Sequence, residues 1–175
     1  MAITRATLIL CVSLCALSGC ATSGGPSASR EEARRALTQF LTTSSALGQA
    51  ELAFSRLAET KAEDPAVRAF ATSLAAEQGP INDDLAAMAR RTEIPIDTAM
   101  DARHTALYQQ LQSEVGGGFD ATYLQSQMQD RTMLIEAFQA QADSGADPQV
   151  RAYAQQHLPA LMRDLHAALD LSRGR

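Results

Sequence analysis

The chain has no tryptophan, and its aromatic share is only 5% of 175 residues. Any core must therefore be built mainly from aliphatic side chains and alanine. No Lys/Arg-rich block is present, and 15 basic against 20 acidic residues leave a net charge of −5. That excludes the basic footprint of a nucleic-acid-binding protein. One long apolar run is present and no second, which excludes a multi-span membrane protein. No segment alternates apolar and polar residues in the manner of a half-buried strand. The three cysteines all fall within the first twenty residues. What remains is 46% hydrophobic, too apolar for a disordered chain and sufficient for one domain with a real core.

The apolar run is N-terminal. Arg5 supplies a positive start, and Ala6–Leu17 is apolar apart from Thr7 and Ser13. It is short against the roughly 20 residues a permanent span needs, and it reads as an export signal. Leu17-Ser18-Gly19-Cys20 follows directly and resembles the lipobox of bacterial lipoproteins. That resemblance implies diacylglyceryl transfer to the Cys20 thiol, cleavage before Cys20, and acylation of the new amino group. Ala21 rather than Asp after the cysteine implies, by the same resemblance, an outer-membrane lipoprotein facing the periplasm. Residues 1–19 are then the signal. The mature chain keeps a single cysteine, the lipid acceptor, so no intrachain disulfide can form. Residues 20–29 read as the lipidated cysteine with a short tether rich in Gly, Ser and Ala. Residues 30–175 read as the folded domain.

Two segments of that domain nearly repeat, Asp-Pro-Ala-Val-Arg-Ala-Phe-Ala from Asp64 and Asp-Pro-Gln-Val-Arg-Ala-Tyr-Ala from Asp147. Asp suits an N-cap, and proline suits the first helical position, where its missing N–H costs nothing. Two helices therefore start alike, each after another helical stretch. The simplest all-α architecture is two pseudo-symmetric hairpins forming a four-helix bundle, joined by a short crossover helix. The first helix is expected from Arg30 to about Lys61, with Ser29 and Glu32 as a capping box. The second is expected from Pro65 to about Arg91, kinked or broken at Pro80. The crossover is expected over Asp101–Val115 and is ended by Gly116-Gly117-Gly118. The third long helix is expected from Asp120 as N-cap, with Phe119 and Leu124 as a hydrophobic staple. The fourth is expected from Pro148 to about Leu171, bent at Pro159. Met88, Met128 and Met133 sit at helical spacing and read as core filling.

These features together resemble the domain-of-unknown-function family 4142, over about Glu31 to Leu171. The resemblance rests on Glu51-Leu52, on Leu57-Ala58-x-x-Lys61-Ala62-x-Asp64-Pro65, on Tyr123-Leu124, and on Asp147-Pro148 with Leu158-Pro159. It implies export, a ferritin-like four-helix bundle and no established enzymatic activity. Members commonly carry Asp-His pairs in the second and third long helices and a histidine in the fourth. Here the matching positions are Glu77-Gln78, Asp130-Arg131 and Asp164.

Each long helix places one polar residue on its apolar stripe: Glu51, Gln78, Arg131 and Asp164. Burying charge is costly unless it is paired. Arg131 can bridge Glu51 or Asp164, and Gln78 can donate to a carboxylate. The reading is a salt-bridged core layer, structural or ligand-binding. A di-metal centre would want Glu-x-x-His motifs, and the chain has none. Its histidines are His104, His157 and His166, so no metal or other cofactor is assigned. A degenerate metal site would have Glu51, Glu77, Asp130 and Asp164 left to use. No nucleophile motif stands beside a partnering histidine, so no catalytic residue is assigned. The expectation is a non-enzymatic binding, sensing or structural module of the cell envelope. Its partners would be the membrane, through lipid on Cys20, and an envelope protein; a small-ligand pocket between the hairpins is a further option.

Overall fold

The computed structural model describes residues 26–174. The signal, the lipobox, Cys20 and the first part of the tether lie outside them. The described residues form five helices and no strand: α1 (Pro26–Lys61), α2 (Pro65–Thr92), α3 (Ala102–Ser113), α4 (Gly116–Ser144) and α5 (Pro148–Arg173). None of these helices is long and apolar enough to cross a membrane.

The repeated Asp-Pro segments cap α2 and α5 alike. The Asp64 side chain accepts from the Ala66 N–H, and the Asp147 side chain accepts from those of Gln149 and Val150. Each capped helix folds back on its predecessor. The chain thus makes two long hairpins, α1–α2 and α4–α5. The hairpins lie head to tail. Arg91 at the end of α2 pairs with Asp147 at the start of α5, at 2.8 Å. At the opposite end, Asp120 near the start of α4 accepts from the backbone N–H of Glu63 and Asp64 in the α1–α2 turn, at 3.0 and 2.9 Å. Helix α3 carries the chain between those two ends along α1, and the Lys61 ammonium reaches the Leu111 and Gln112 carbonyls.

Two aliphatic and aromatic clusters fill the interior. One centres on Phe40, Leu41, Leu85, Phe138 and Leu161. The other, rich in alanine, centres on Phe54, Leu111, Phe119, Tyr123 and Leu124. The seams between the hairpins differ. Helices α1 and α4 pack along their length beneath α3, whereas α2 and α5 barely touch.

Several boundaries depart from expectation. Helix α1 includes Pro26–Lys61 among the described residues, so Ser29 and Glu32 lie inside it. The three glycines open α4 instead of ending the crossover. Val115, expected to be the last residue of the crossover, is instead the extended N-cap residue of α4 and is 78% exposed. Gly116 takes φ +60°, which glycine alone adopts without strain. Asp120 therefore does not cap its own helix, because its carboxylate is drawn to the neighbouring turn. Of the two outcomes expected at Pro80, a kink or a break, the break does not occur: α2 continues through Pro80, as α5 does through Pro159. Each proline removes one intrahelical bond, while packing on both sides of it holds the helix. Met133 is exposed, because the face of α4 that packs on α5 and α1 takes in Gln127, Asp130 and Leu134 instead.

Candidate functional site

All four polar stripe residues are buried. Glu51 is 0%, Gln78 and Arg131 2%, and Asp164 8% exposed. Three of them meet. The Arg131 Nε lies 3.0 Å from a Glu51 carboxylate oxygen, and a terminal nitrogen of the same guanidinium lies 3.6 Å from Asp164. The Nε–H of Arg131 is not directed along the hydrogen-bonding line, and neither Glu51 oxygen has a hydrogen-bond partner among the described residues. Charge attraction rather than hydrogen bonding holds this contact. Burial pushes the Glu51 carboxyl up to about 7 against the opposing pull of Arg131. Burial also raises Asp164, again opposed by Arg131. One cation thus serves two buried carboxylates.

Gln78 does not join them. Its amide donates to the Asn82 side chain at 3.0 Å, and Asn82 in turn donates to the Gly48 carbonyl on α1 at 3.1 Å. The reason is Gly48, since a side chain there would collide with Asn82 and Gln78. The bare backbone lets α2 come close enough for its amides to bond to α1, which turns Gln78 away from the carboxylates.

A second buried group, not anticipated as a unit, adjoins the first. His104 on α3 is 1% exposed, and its Nε2 lies 3.3 Å from Asp130 on α4. Arg103 donates to the same Asp130 oxygen at 3.0 Å. Burial alone would lower His104, but the hydrogen bond and charge of Asp130 outweigh it and raise the imidazole. Asp101 caps α3 by accepting from the His104 N–H at 2.8 Å and is held low by that bond. The Glu51 carboxyl feels both Asp130 and His104. The two groups therefore form one polar core crossing α1, α3, α4 and α5. The available signal was Asp101, three residues before His104 in capping position, together with Asp130 beside a stripe residue.

On the open side, a cavity of about 370 Å³ lies between α2 and α5. Arg131 and Asp164 reach it from the core, and Glu77, Asp84 and His157 stand around it. Pro80, Ile81, Ala160 and Leu161 supply its apolar wall. His157 is half-buried, and burial lowers its imidazole against the raising charge of Asp84. His157 packs on Tyr153 with ring centroids 4.3 Å apart. His166 is exposed. No three His, Cys, Asp or Glu residues among those described gather as a metal-ion set.

No curated protein matches this sequence. The crystal structure of a DUF305 protein from Streptomyces coelicolor superposes with a TM-score of 0.65 at 16% identity, covering 78% of this chain and 89% of that one. That likeness is one of all-helical fold. The profile of the domain of unknown function DUF4142 matches residues 22–171. With nearly the whole described chain inside that match, the protein belongs to the DUF4142 family.

Proposed function

We propose that this protein is a lipid-anchored, non-enzymatic binding module of the cell envelope, built on a ferritin-like four-helix bundle. The anchor is read from Leu17-Ser18-Gly19-Cys20, which would tether the domain to the periplasmic face of the outer membrane. The observation that carries the binding reading is the cavity between α2 and α5, whose floor is the Arg131–Asp164 ion pair. A pocket with an apolar wall and a few convergent polar groups, set between helices, is the form small-molecule sites commonly take. In that floor is the Arg131 guanidinium, a planar fork of N–H donors with no acceptor. Such a group orients a ligand rather than reacting with it.

The metal-handling alternative uses the same carboxylates and finds less support. The Arg131 guanidinium stands between Glu51 and Asp164, where a bridging cation would have to sit. Elemental analysis of the purified protein, with thermal melts before and after chelation, decides between the readings. Stoichiometric metal whose removal lowers the melting temperature would overturn the binding-module reading. For the module itself, the expected result is a small molecule that raises the melting temperature of the native protein but not of Ala160→Trp, which fills the cavity. Acylation of the Cys20 peptide, seen by mass spectrometry and lost in Cys20→Ala, is the expected result for the anchor.

A further inference from the structure

Helix α3 is lightly fastened to the bundle. Its buried residues are His104 and Leu111, and most of the helix faces solvent. Irregular backbone flanks it on both sides, over residues 93–101 before it and at the extended Glu114 and Val115 after it. It can therefore lift without unwinding α2 or α4. His104 and Arg103 tie it to Asp130 on α4. The Lys61 ammonium holds its Leu111 and Gln112 carbonyls, and Tyr108 stacks on Phe54 of α1.

The layer beneath α3 is polar and poorly compensated. Neither Glu51 oxygen, neither polar atom of the Gln127 amide, nor the second oxygen of Asp130 has a hydrogen-bond partner among the described residues. All three side chains are at most 1% exposed. Gln127 stands one helical turn from Arg131 and one from Tyr123, whose partners on α1 are Glu51 and Ser55. Drying such groups without partners opposes closure of α3. Closure then depends on the charges that meet there. Glu51 feels Arg131 and Asp130 from α4, Asp164 from α5 and His104 from α3. His104 feels Asp130 from α4, and Arg103 and Asp101 from its own segment. Helix α2 brings the uncharged Gln78 and Asn82 amides against Gly48, about one turn before Glu51.

We propose that α3 is a pH-sensitive strap, closed on the bundle while His104 is charged and Glu51 neutral, and lifting as both lose their protons. With both protonated, His104, Arg103 and Arg131 stand against Asp130 and Asp164. With both deprotonated, Arg103 and Arg131 alone stand against three carboxylates, and Arg103 is exposed, where solvent weakens its attraction. Burial in the closed form raises Glu51 from 4.5 to about 7. Burial pulls His104 down, but the hydrogen bond and charge of Asp130 prevail and raise it. Lifting α3 hydrates both groups and returns them toward their ordinary values. The lifted form therefore holds fewer protons, and lifting becomes more frequent as pH rises from about 4.5 through 7. The strap lies away from the α2–α5 cavity and stands whether or not that cavity takes a ligand.

Native-state amide exchange of the full protein, followed by mass spectrometry across pH and corrected for intrinsic exchange, reads the lifting directly. The amides of Ala102–Ser113 are expected to open more often than those of α5. Their opening constant is expected to rise at least about tenfold from pH 5.5 to pH 8. His104→Gln, which cannot take the charge, is expected to raise that constant about tenfold at pH 5.5 and little at pH 8. Glu51→Gln, which mimics the neutral acid, is expected to lower it at pH 8 toward its acid value. A constant that is flat or falls with pH would overturn the strap. So would α3 and α5 opening together at every pH, or a His104→Gln effect equal at both pH values, which marks a structural role alone. The wild-type series decides by itself where a variant does not fold.

Discussion

Arg131→Met tests the core layer most directly. The substitution keeps a similar stem and deletes the buried cation that Glu51 and Asp164 share. Removing one partner of a buried ion pair costs about 3–5 kcal/mol, because the remaining charge is left uncompensated. For a domain of this size each kcal/mol moves the melting temperature by about 2–4 °C, so a fall of roughly 6–20 °C is expected. The deficit should depend on pH. Glu51 titrates near 7 in the folded protein. At pH 5 it is therefore already neutral in the wild type, and Arg131 serves Asp164 alone. At pH 8 both carboxylates need the cation. The loss should therefore be larger at pH 8 than at pH 5, measured by urea melts of both proteins. The triple variant Glu51→Leu/Arg131→Met/Asp164→Leu should recover most of the loss, since apolar replacement of a whole buried triad is often neutral or better. An unchanged melting temperature at pH 8, or a deficit equal at both pH values, would refute the reasoning.

Four other outcomes follow from the same geometry. The folded-state carboxyl of Glu51 is raised from 4.5 to about 7, so the folded state binds the extra proton. Its contribution is complete below pH 4.5 and is lost as pH rises through 7, about 3 kcal/mol in all. Glu51→Gln should flatten that part of the stability profile in urea melts. Asp120→Ala should leave the Glu63 and Asp64 N–H groups without their acceptor, lower stability by about 1–3 kcal/mol, and speed amide exchange at those two positions. Gly48→Ala should drive a methyl into Asn82 and Gln78 and cost about 1–3 kcal/mol, read from a chemical melt. Asp147→Ala should cost about 0.5–2 kcal/mol as a lost cap. Because the Arg91 hydrogen bond holds Asp147 below the usual carboxylate range, its contribution in the wild type should fade as pH falls through its lowered folded-state value, seen as a shrinking difference between variant and wild type in acid melts.

Local signals in this chain are strong, and long-range ones are not. The Asp-Pro caps at Asp64 and Asp147 locate two helix starts because the capping bonds close within three residues. The stripe periodicity locates Glu51, Gln78, Arg131 and Asp164 in the interior because a helix face is a local property. Which of them touch is not a local property. Gln78 was free to face a carboxylate until Gly48, some thirty residues earlier in the chain, let its helix close in. The start of α4 departs from its sequence expectation for a similar reason. Asp120 looks like a cap in sequence and is instead the acceptor for a turn more than fifty residues away. His104 and Asp130 escaped as a pair because α3 lies across the bundle, and its roofing position leaves no periodic trace in either segment.

That roof has a topological consequence. Two hairpins set head to tail meet along two seams, and neither seam is privileged by the hairpins themselves. Joining them in one polypeptide breaks the tie. The end of α2 and the start of α4 lie at opposite ends of the molecule, so the connector must travel its length, and one connector can follow only one seam. Here α3 takes the α1–α4 side and seals His104 and Asp130 beneath it. The α2–α5 side is left as the route by which solvent reaches the same layer of charge. A single chain made of two like halves thus has a closed face and an open one, and the difference comes from how the halves are wired rather than from what they are made of.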